Sequence, residues 1–289
     1  MLVWLNGRFV QRDEARCSVF DAGFQHAVGL FETMLARGGR VLHLEAHMQR
    51  LANSARELLL TNQLRTDPLC EACEQTLAKN ELTEARIRLT LTGGDLNMLQ
   101  STGRGQVDPT ILIVAQPPTA YPAEFFEKGI VVTIADGRDN PFSPMAGHKT
   151  LNYWPRIQAL QQAAARRAGE AIWFTVSNHL ASGCVSNVFL VKGGELLTPI
   201  ARGEEQHGAL PSCVLPGITR AVVIEAADER GIQTTKRMLD IEDVLSADEV
   251  FLTNSSWGVL PVVGVERETI GTGEVGPITR SLRDAWLAS

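Results

Sequence analysis

The sequence predicts a mixed α/β (α+β) protein of two domains, and three observations predict it. Some stretches alternate in polarity with period two, as half-buried strands do. Others place apolar residues at steps of three and four, as one face of a helix does. A proline-rich segment, Gln116–Pro122, then separates two blocks that each contain both patterns.

The first block opens with the apolar run Leu2–Leu5, followed by Asn6-Gly7. That dipeptide is a strong hairpin signal, so Phe9 and Val10 start a return strand. Leu44, Met48, Leu51, Ala55 and Leu58 alternate steps of four and three and predict a helix. Cys70–Ala78 predicts a second helix. Residues 86–92 alternate with period two, and Thr110–Val114 has the composition of a buried strand.

Pro117, Pro118 and Pro122 favour an extended linker. The expected division is a small N-terminal domain over residues 1–116, a linker over 117–122 and a larger C-terminal domain over 123–289. In the second block, strands are expected at 129–135, 171–176, 189–191, 249–253 and 259–263. A helix is expected near 155–168, and another runs from near Gly217 to about Arg230, with Gly231 at its end. Pro277 suits the first turn of a last helix, with Ile278, Leu282 and Ala285 as its face. The sheets are expected to be antiparallel or mixed.

The chain has 289 residues, 44% of them apolar, with a net charge of −6. A mildly acidic protein is a poor electrostatic partner for nucleic acid or an anionic membrane surface. No apolar run approaches the roughly 18 residues needed to span a bilayer. The N-terminus has no basic region followed by a small-residue cleavage site, so no signal peptide is expected. Five cysteines, an odd count in a long chain, suit free thiols in a reducing compartment. A cytoplasmic protein is expected.

Only five lysines stand against 22 arginines. Lys79, Lys128, Lys192 and Lys236 lie in polar or turn settings that read as solvated. Lys149 lies in Met145–Trp154, which carries few charges and is apolar on both sides. Apolar surroundings lower a lysine pKa, because desolvation disfavours the ammonium. The neutral amine attacks carbonyls to form a Schiff base. The other use of such a lysine is to snorkel its ammonium to the surface.

Three features suit an anion. Leu215–Arg220 opens a helix, where backbone N–H groups and the dipole attract phosphate and Thr219 adds a hydroxyl; a plain helix start uses the same residues. Thr253-Asn254-Ser255-Ser256 follows a strand directly and serves either a polar pocket or a capping turn. Arg50 sits on the polar flank of an amphipathic helix, as a phosphate clamp or a surface residue. Cys70-x-x-Cys73 lacks a second ligand pair, and His43 and His47 lack the glutamate a metalloprotease motif needs, so no metal is expected. His148 either tunes Lys149 or faces solvent. The Gly93–Gly105 stretch suits a lid over substrate or a long hairpin connection.

Taken in order, Asn6-Gly7, Asp21–Phe24, Gly29–Thr33, the His47…Arg50-Leu51…Ser54-Ala55 run, Lys149–Tyr153, Ser186–Phe189, Leu215–Arg220 and Phe251–Val263 resemble class IV aminotransferases over nearly the whole chain. That family includes branched-chain and D-amino-acid aminotransferases and 4-amino-4-deoxychorismate lyases. The resemblance implies fold-type IV, with pyridoxal 5'-phosphate between two domains and a homodimer whose partner closes each site. It implies Lys149 as the Schiff-base lysine and Arg50, Ile218, Thr219 and Ser255 as phosphate contacts. It places Tyr153 near the phenolic oxygen of the cofactor.

The sequence departs from the family at three places. Position 182, five residues before Asn187, is serine where the family has a glutamate paired with the pyridine nitrogen. A hydroxyl can only hydrogen-bond there, which leaves the nitrogen mostly unprotonated and weakens the ring as an electron sink. Ala27-Val28-Gly29 stands where Gly-Asp-Gly is frequent, and Asp21-Ala22 where Asp-Arg is usual. The reactions that fit are transamination between an amino acid and a 2-oxo acid, and a lyase reaction that releases pyruvate from 4-amino-4-deoxychorismate. Both begin with α-proton removal by Lys149. A homologue that keeps the cofactor without catalysis is the third possibility.

Overall fold

A computed structural model describes residues 1–95 and 109–288. The chain forms two compact units. One comprises Met1–Thr119 and His148–Asn152, the other Ala120–Gly147 and Tyr153–Ser289. The change of unit at Thr119–Ala120 falls in the proline-rich stretch. Lys149 differs from the sequence expectation, which put it in the C-terminal domain. It packs with the first unit, through backbone pairing with β3. The Gly93–Gly105 stretch expected as a lid or hairpin lies largely outside the described residues.

The first unit contains β1 (Leu2–Leu5), β2 (Arg8–Gln11), α1 (Ala22–His26), β3 (Gly29–Arg37), β4 (Arg40–Val41), α2 (Leu44–Glu57), α3 (Thr66–Lys79), β5 (Ala85–Thr92) and β6 (Ile111–Gln116). The strands form one antiparallel sheet in the order β2-β1-β6-β5-β3-β4. Asn6 and Gly7 both take positive φ, 46° and 88°, which closes the β1–β2 hairpin with the twist its strands need. Ala85, Ile87, Leu89 and Leu91 of β5 point into the core, while Arg86, Arg88 and Thr90 alternate outward. Met34, Met48, Leu51, Leu69, Leu77 and Ile113 meet them in one apolar cluster between sheet and helices.

Strand β3 carries no alternation that announces it. Leu30, Phe31 and Glu32, and then Met34, Leu35 and Ala36, are buried whichever face they occupy. A strand covered on both sides loses the period-two signal. Its fourth residue, Glu32, is a buried carboxylate inside this run.

The second unit contains α4 (Glu124–Glu127), β7 (Ile130–Asp139), α5 (Trp154–Ala165), β8 (Glu170–Thr175), β9 (Leu180–Gly183), β10 (Asn187–Lys192), β11 (Glu195–Thr198), α6 (Ile218–Asp228), β12 (Thr234–Lys236), α7 (Ile241–Leu245), β13 (Glu249–Asn254), β14 (Gly258–Val265), β15 (Glu268–Thr269) and α8 (Pro277–Ala288). The main sheet runs β12-β11-β10-β13-β14-β7-β8-β9. It is mixed: β7 is parallel to β14 and β8, and β11 to β12, and the other pairs are antiparallel. Phe189 and Phe251 face each other across β10 and β13, with rings stacked at 5.0 Å.

The last helix buries Thr279, Leu282 and Trp286 rather than the expected Ile278, Leu282 and Ala285. The cause is Glu249. Its buried carboxylate accepts from Thr279 N at 2.7 Å and Thr279 Oγ1 at 2.6 Å, which rolls that side of the helix inward. Among the described residues, no helix is long and apolar enough to cross a membrane.

Candidate active site

Lys149 is held by a short bridge to the edge of β3. Phe31 N donates to Lys149 O at 3.0 Å and Leu151 N to Gly29 O at 2.9 Å, with Leu30 and Thr150 paired between them. Close approach requires glycine at position 29. A Cβ there would lie 2.7 Å from Leu151 Cδ1 and press on the backbone of β5. The bridge explains why the lysine belongs to the first unit.

The Lys149 Nζ sits 4.5 Å from the centre of the Phe31 ring, and the Arg88 guanidinium lies 3.9 Å from the same ring. Burial brings the lysine down from its ordinary value to about 8. Arg50 and Arg88 push in the same direction, and Glu32 opposes them. About a tenth of the amine is then neutral at pH 7, far more than in an ordinary lysine, and the neutral form is the nucleophile and general base.

Glu32, 1% exposed, organises the neighbourhood. It accepts from Arg50 Nε at 2.9 Å and Arg50 Nη2 at 2.6 Å, and pairs with His47 Nδ1 at 2.8 Å. Burial alone would raise its pKa. Arg50 and His47 overcome that and hold it at about 2. Burial keeps His47 below the usual histidine range. Arg50 is therefore no surface residue, since its fork closes on a buried carboxylate. His148 settles into a third arrangement, with Nδ1 3.0 Å from Ser54 Oγ and Nε2 3.6 Å from Glu57.

In the second unit the structure brings Thr219 and Ser255 together. Their hydroxyl oxygens are 3.5 Å apart, one in the first turn of α6 and the other in the turn after β13. Ile218 is the first residue of α6, and its N-cap, Gly217, supplies no side-chain cap. A Cβ at Gly217 would run into Asn187, which is fixed by donating to Leu215 O at 2.9 Å. The result is a helix start without a side-chain cap from its N-cap residue, flanked by two adjacent hydroxyls. That donor set fits a phosphate.

Tyr153 donates from its hydroxyl to Cys184 O at 3.2 Å. Ser182, 7% exposed, lies opposite Trp173 in the β8–β9 pair. Its Oγ accepts from Arg156 Nη1 at 3.0 Å. Arg156 in turn grips Asp139 through Nη2, at 2.8 and 2.7 Å, and lies 4.2 Å over the Trp173 ring. Nearby, Glu170 receives Val185 N at 3.0 Å and Ser186 Oγ at 2.6 Å. Burial nevertheless pushes its carboxyl up to about 7.

Glu170, Asp139, Arg156, Arg88 and Phe31 are not among the site residues expected from the sequence. Glu32 had a usable signal, as a charge inside an apolar run. Arg156 had none, because an arginine in the first turn of a helix has a surface role by default. His47 is buried and His43 is exposed, so the pair shares no site. Cys70 and Cys73 are free, and no cluster of three or more metal-ligating side chains occurs among the described residues.

A family model described as amino-transferase class IV matches residues 29–265. A putative branched-chain-amino-acid aminotransferase of Methanocaldococcus jannaschii is 32% identical over 284 residues, 98% of this chain and 94% of its own. The crystal structure of Escherichia coli branched-chain amino acid aminotransferase superposes with a TM-score of 0.90. It is 30% identical and covers 99% of this chain and 93% of its own. The 4-amino-4-deoxychorismate lyase of Pseudomonas aeruginosa follows at a TM-score of 0.85 and 28% identity, over 100% and 99% of the two chains.

Proposed function

The chain belongs to the class IV aminotransferase family, a pyridoxal-phosphate-dependent family, and on that footing we propose that it transfers the amino group of a branched-chain amino acid to a 2-oxo acid. The observation that carries this is the Lys149 amine, desolvated beside Phe31 and held near pH 8. The branched-chain assignment is supported by the named relative at 32% identity. When bound, pyridoxal phosphate supplies an aldehyde for the lysine and a ring that withdraws electrons from the substrate carbon.

The remaining chemistry falls to residues of this chain. Lys149 Nζ would hold the cofactor and, once released by the incoming substrate amine, would serve as the base that takes up the α-proton and moves it to another atom. Glu32 fixes the Arg50 guanidinium, whose charge helps lower the pKa of Lys149. In this reading Arg50, the Ile218 and Thr219 N–H groups and the Thr219 and Ser255 hydroxyls receive the phosphate. Tyr153 and Ser182 contact the ring. A homodimer is part of the same reading. It is supported by Val19, Phe20 and Phe24, which are 64%, 64% and 76% exposed in one short segment. A reducing, cytoplasmic setting is supported by five free cysteines.

The test is incubation with pyridoxal phosphate, borohydride reduction and peptide mass analysis. A reduced adduct on the peptide bearing Lys149 is expected. L-leucine, L-isoleucine and L-valine should each convert the bound cofactor to its amine form, and D-alanine should not. Pyruvate released from 4-amino-4-deoxychorismate, with no response to the branched-chain amino acids, would replace this function with the lyase. No adduct at Lys149 would remove both.

A further inference from the structure

The Ser182 hydroxyl has an uneven set of partners. Among the described residues it accepts one hydrogen bond, from Arg156 Nη1 at 3.0 Å, and donates none. It is nevertheless almost wholly buried, at 7% exposure. A buried hydroxyl proton with no acceptor in the protein is costly and points to an acceptor supplied from outside.

Arg156 is held on three sides. One end of its guanidinium is fixed by both Asp139 oxygens, the other donates to Gly183 O at 2.9 Å, and its plane lies over Trp173. An arginine has donors only and keeps its proton. It can therefore meet Ser182 only through a lone pair of the oxygen. That turns the Ser182 O–H away from Arg156 and makes it a donor to whatever lies beyond.

We propose that Arg156, clamped by Asp139, is a positioning residue that fixes Ser182 as a hydrogen-bond donor to an uncharged ring nitrogen of the bound cofactor. This rests on the cofactor reading above and adds the protonation state of the ring. A donor O–H satisfies a nitrogen lone pair, and a guanidinium behind it repels a second positive charge. The chain thus trades a protonated ring for a neutral one. Less electron withdrawal follows, so more of the work of α-proton removal falls on Lys149.

The other ionisable groups that sense Arg156 are Glu170 on β8, Cys184 after β9 and Cys213. The experiment must separate their titration from that of the ring. Nitrogen-15 NMR of protein loaded with ring-labelled pyridoxal phosphate reads the nitrogen directly. The wild type should show a neutral, hydrogen-bonded nitrogen across the neutral pH range. Ser182→Ala, which keeps the Arg156–Asp139 pair, should move the signal to that of a neutral nitrogen without a donor. Ser182→Glu should move it to the protonated form. Arg156→Gln should raise the apparent ring pKa by about one to two units, as loss of a nearby charge does, and Arg156→Lys should restore most of the wild-type value.

A protonated nitrogen in the wild type, an unmoved signal in Ser182→Ala, or identical titration of Arg156→Gln and wild type would overturn the proposal. If the borohydride adduct still forms on Lys149, only this inference falls. If no cofactor is retained, this inference and the assigned function fall together.

Discussion

Arg50 closes on Glu32 through two parallel contacts, Nε to Oε1 at 2.9 Å and Nη2 to Oε2 at 2.6 Å, inside the sheet-and-helix unit that carries Lys149. The carboxylate is buried, at 1% exposure, so its ionised state depends on this fork and on His47.

The pair makes a stability prediction. Glu32 has a folded pKa of about 2 against an ordinary 4.5. A depressed carboxylate contributes stability above the unfolded pKa and loses it as pH falls through the folded one. The expected contribution is up to about 3 kcal/mol, present above pH 4.5 and lost toward pH 2. Glu32→Gln should therefore destabilise the protein at neutral pH, with the gap to wild type narrowing in acid. Urea unfolding at several pH values measures it. A gap that stays constant with pH would show that the carboxylate charge is not what matters.

A second prediction concerns the amine. Lys149 titrates near 8 because burial and two arginines oppose its charge, while Glu32 supports it. Reductive methylation of cofactor-free protein, followed by peptide mass analysis, should show Lys149 reactivity rising through pH 8. A free lysine amine should do so only near its ordinary 10.5. Glu32→Gln removes the one supporting charge and should move the Lys149 midpoint lower. A midpoint that matches free lysine would contradict the desolvated setting.

Much of the frame was legible in the sequence. Period-two alternation at 86–92 and the Asn6-Gly7 turn gave β5 and the first hairpin, because one face of each strand is exposed or its turn chemistry is explicit. Strand β3 was not legible, because burial on both sides erased its alternation. The face of α8 was misjudged by one residue because Glu249, 30 positions upstream of Thr279, sets its roll. The same holds in the site. Lys149 stood out as one of few lysines, in an apolar stretch. Its partners Glu32, Arg50 and Arg88 are brought to it by sheet register and helix packing, which no local pattern records. Ser182 was visible as a departure, but its bond to Arg156 was not.

Glu170 gives a pH dependence of opposite sign. Burial lifts its carboxyl to about 7, although Ser186, Val185 and Arg156 pull it back. A raised carboxyl stabilises most below the unfolded pKa of 4.5 and loses that contribution as pH rises through about 7. The loss amounts to up to about 3 kcal/mol. Glu170→Gln, whose amide oxygen can accept from Val185 N and whose NH2 can donate to the Ser186 hydroxyl, should match wild type below pH 4.5 and exceed it above pH 7. Thermal or urea unfolding on the two sides of that window decides. Equal stability on both sides would mean that the carboxyl stays ionised in the fold.

The Thr219–Ser255 pair tests the anion site apart from the lysine. The two hydroxyls are 3.5 Å apart at an uncapped helix start, so one phosphate oxygen can accept from both. A hydrogen bond to a charged group is worth about 1.5–3 kcal/mol, roughly a ten- to hundredfold change in Kd. Thr219→Val and Ser255→Ala should each weaken pyridoxal phosphate binding by that order. The double variant should lose less than the sum, because both hydroxyls serve the same group. Pyridoxal, which lacks the phosphate, is the control, and its affinity should not change in any of the three. Fluorescence or calorimetric titration of cofactor-free protein with each ligand gives the comparison. Equal weakening toward both ligands would move these residues away from the phosphate and leave α6 as an ordinary helix start.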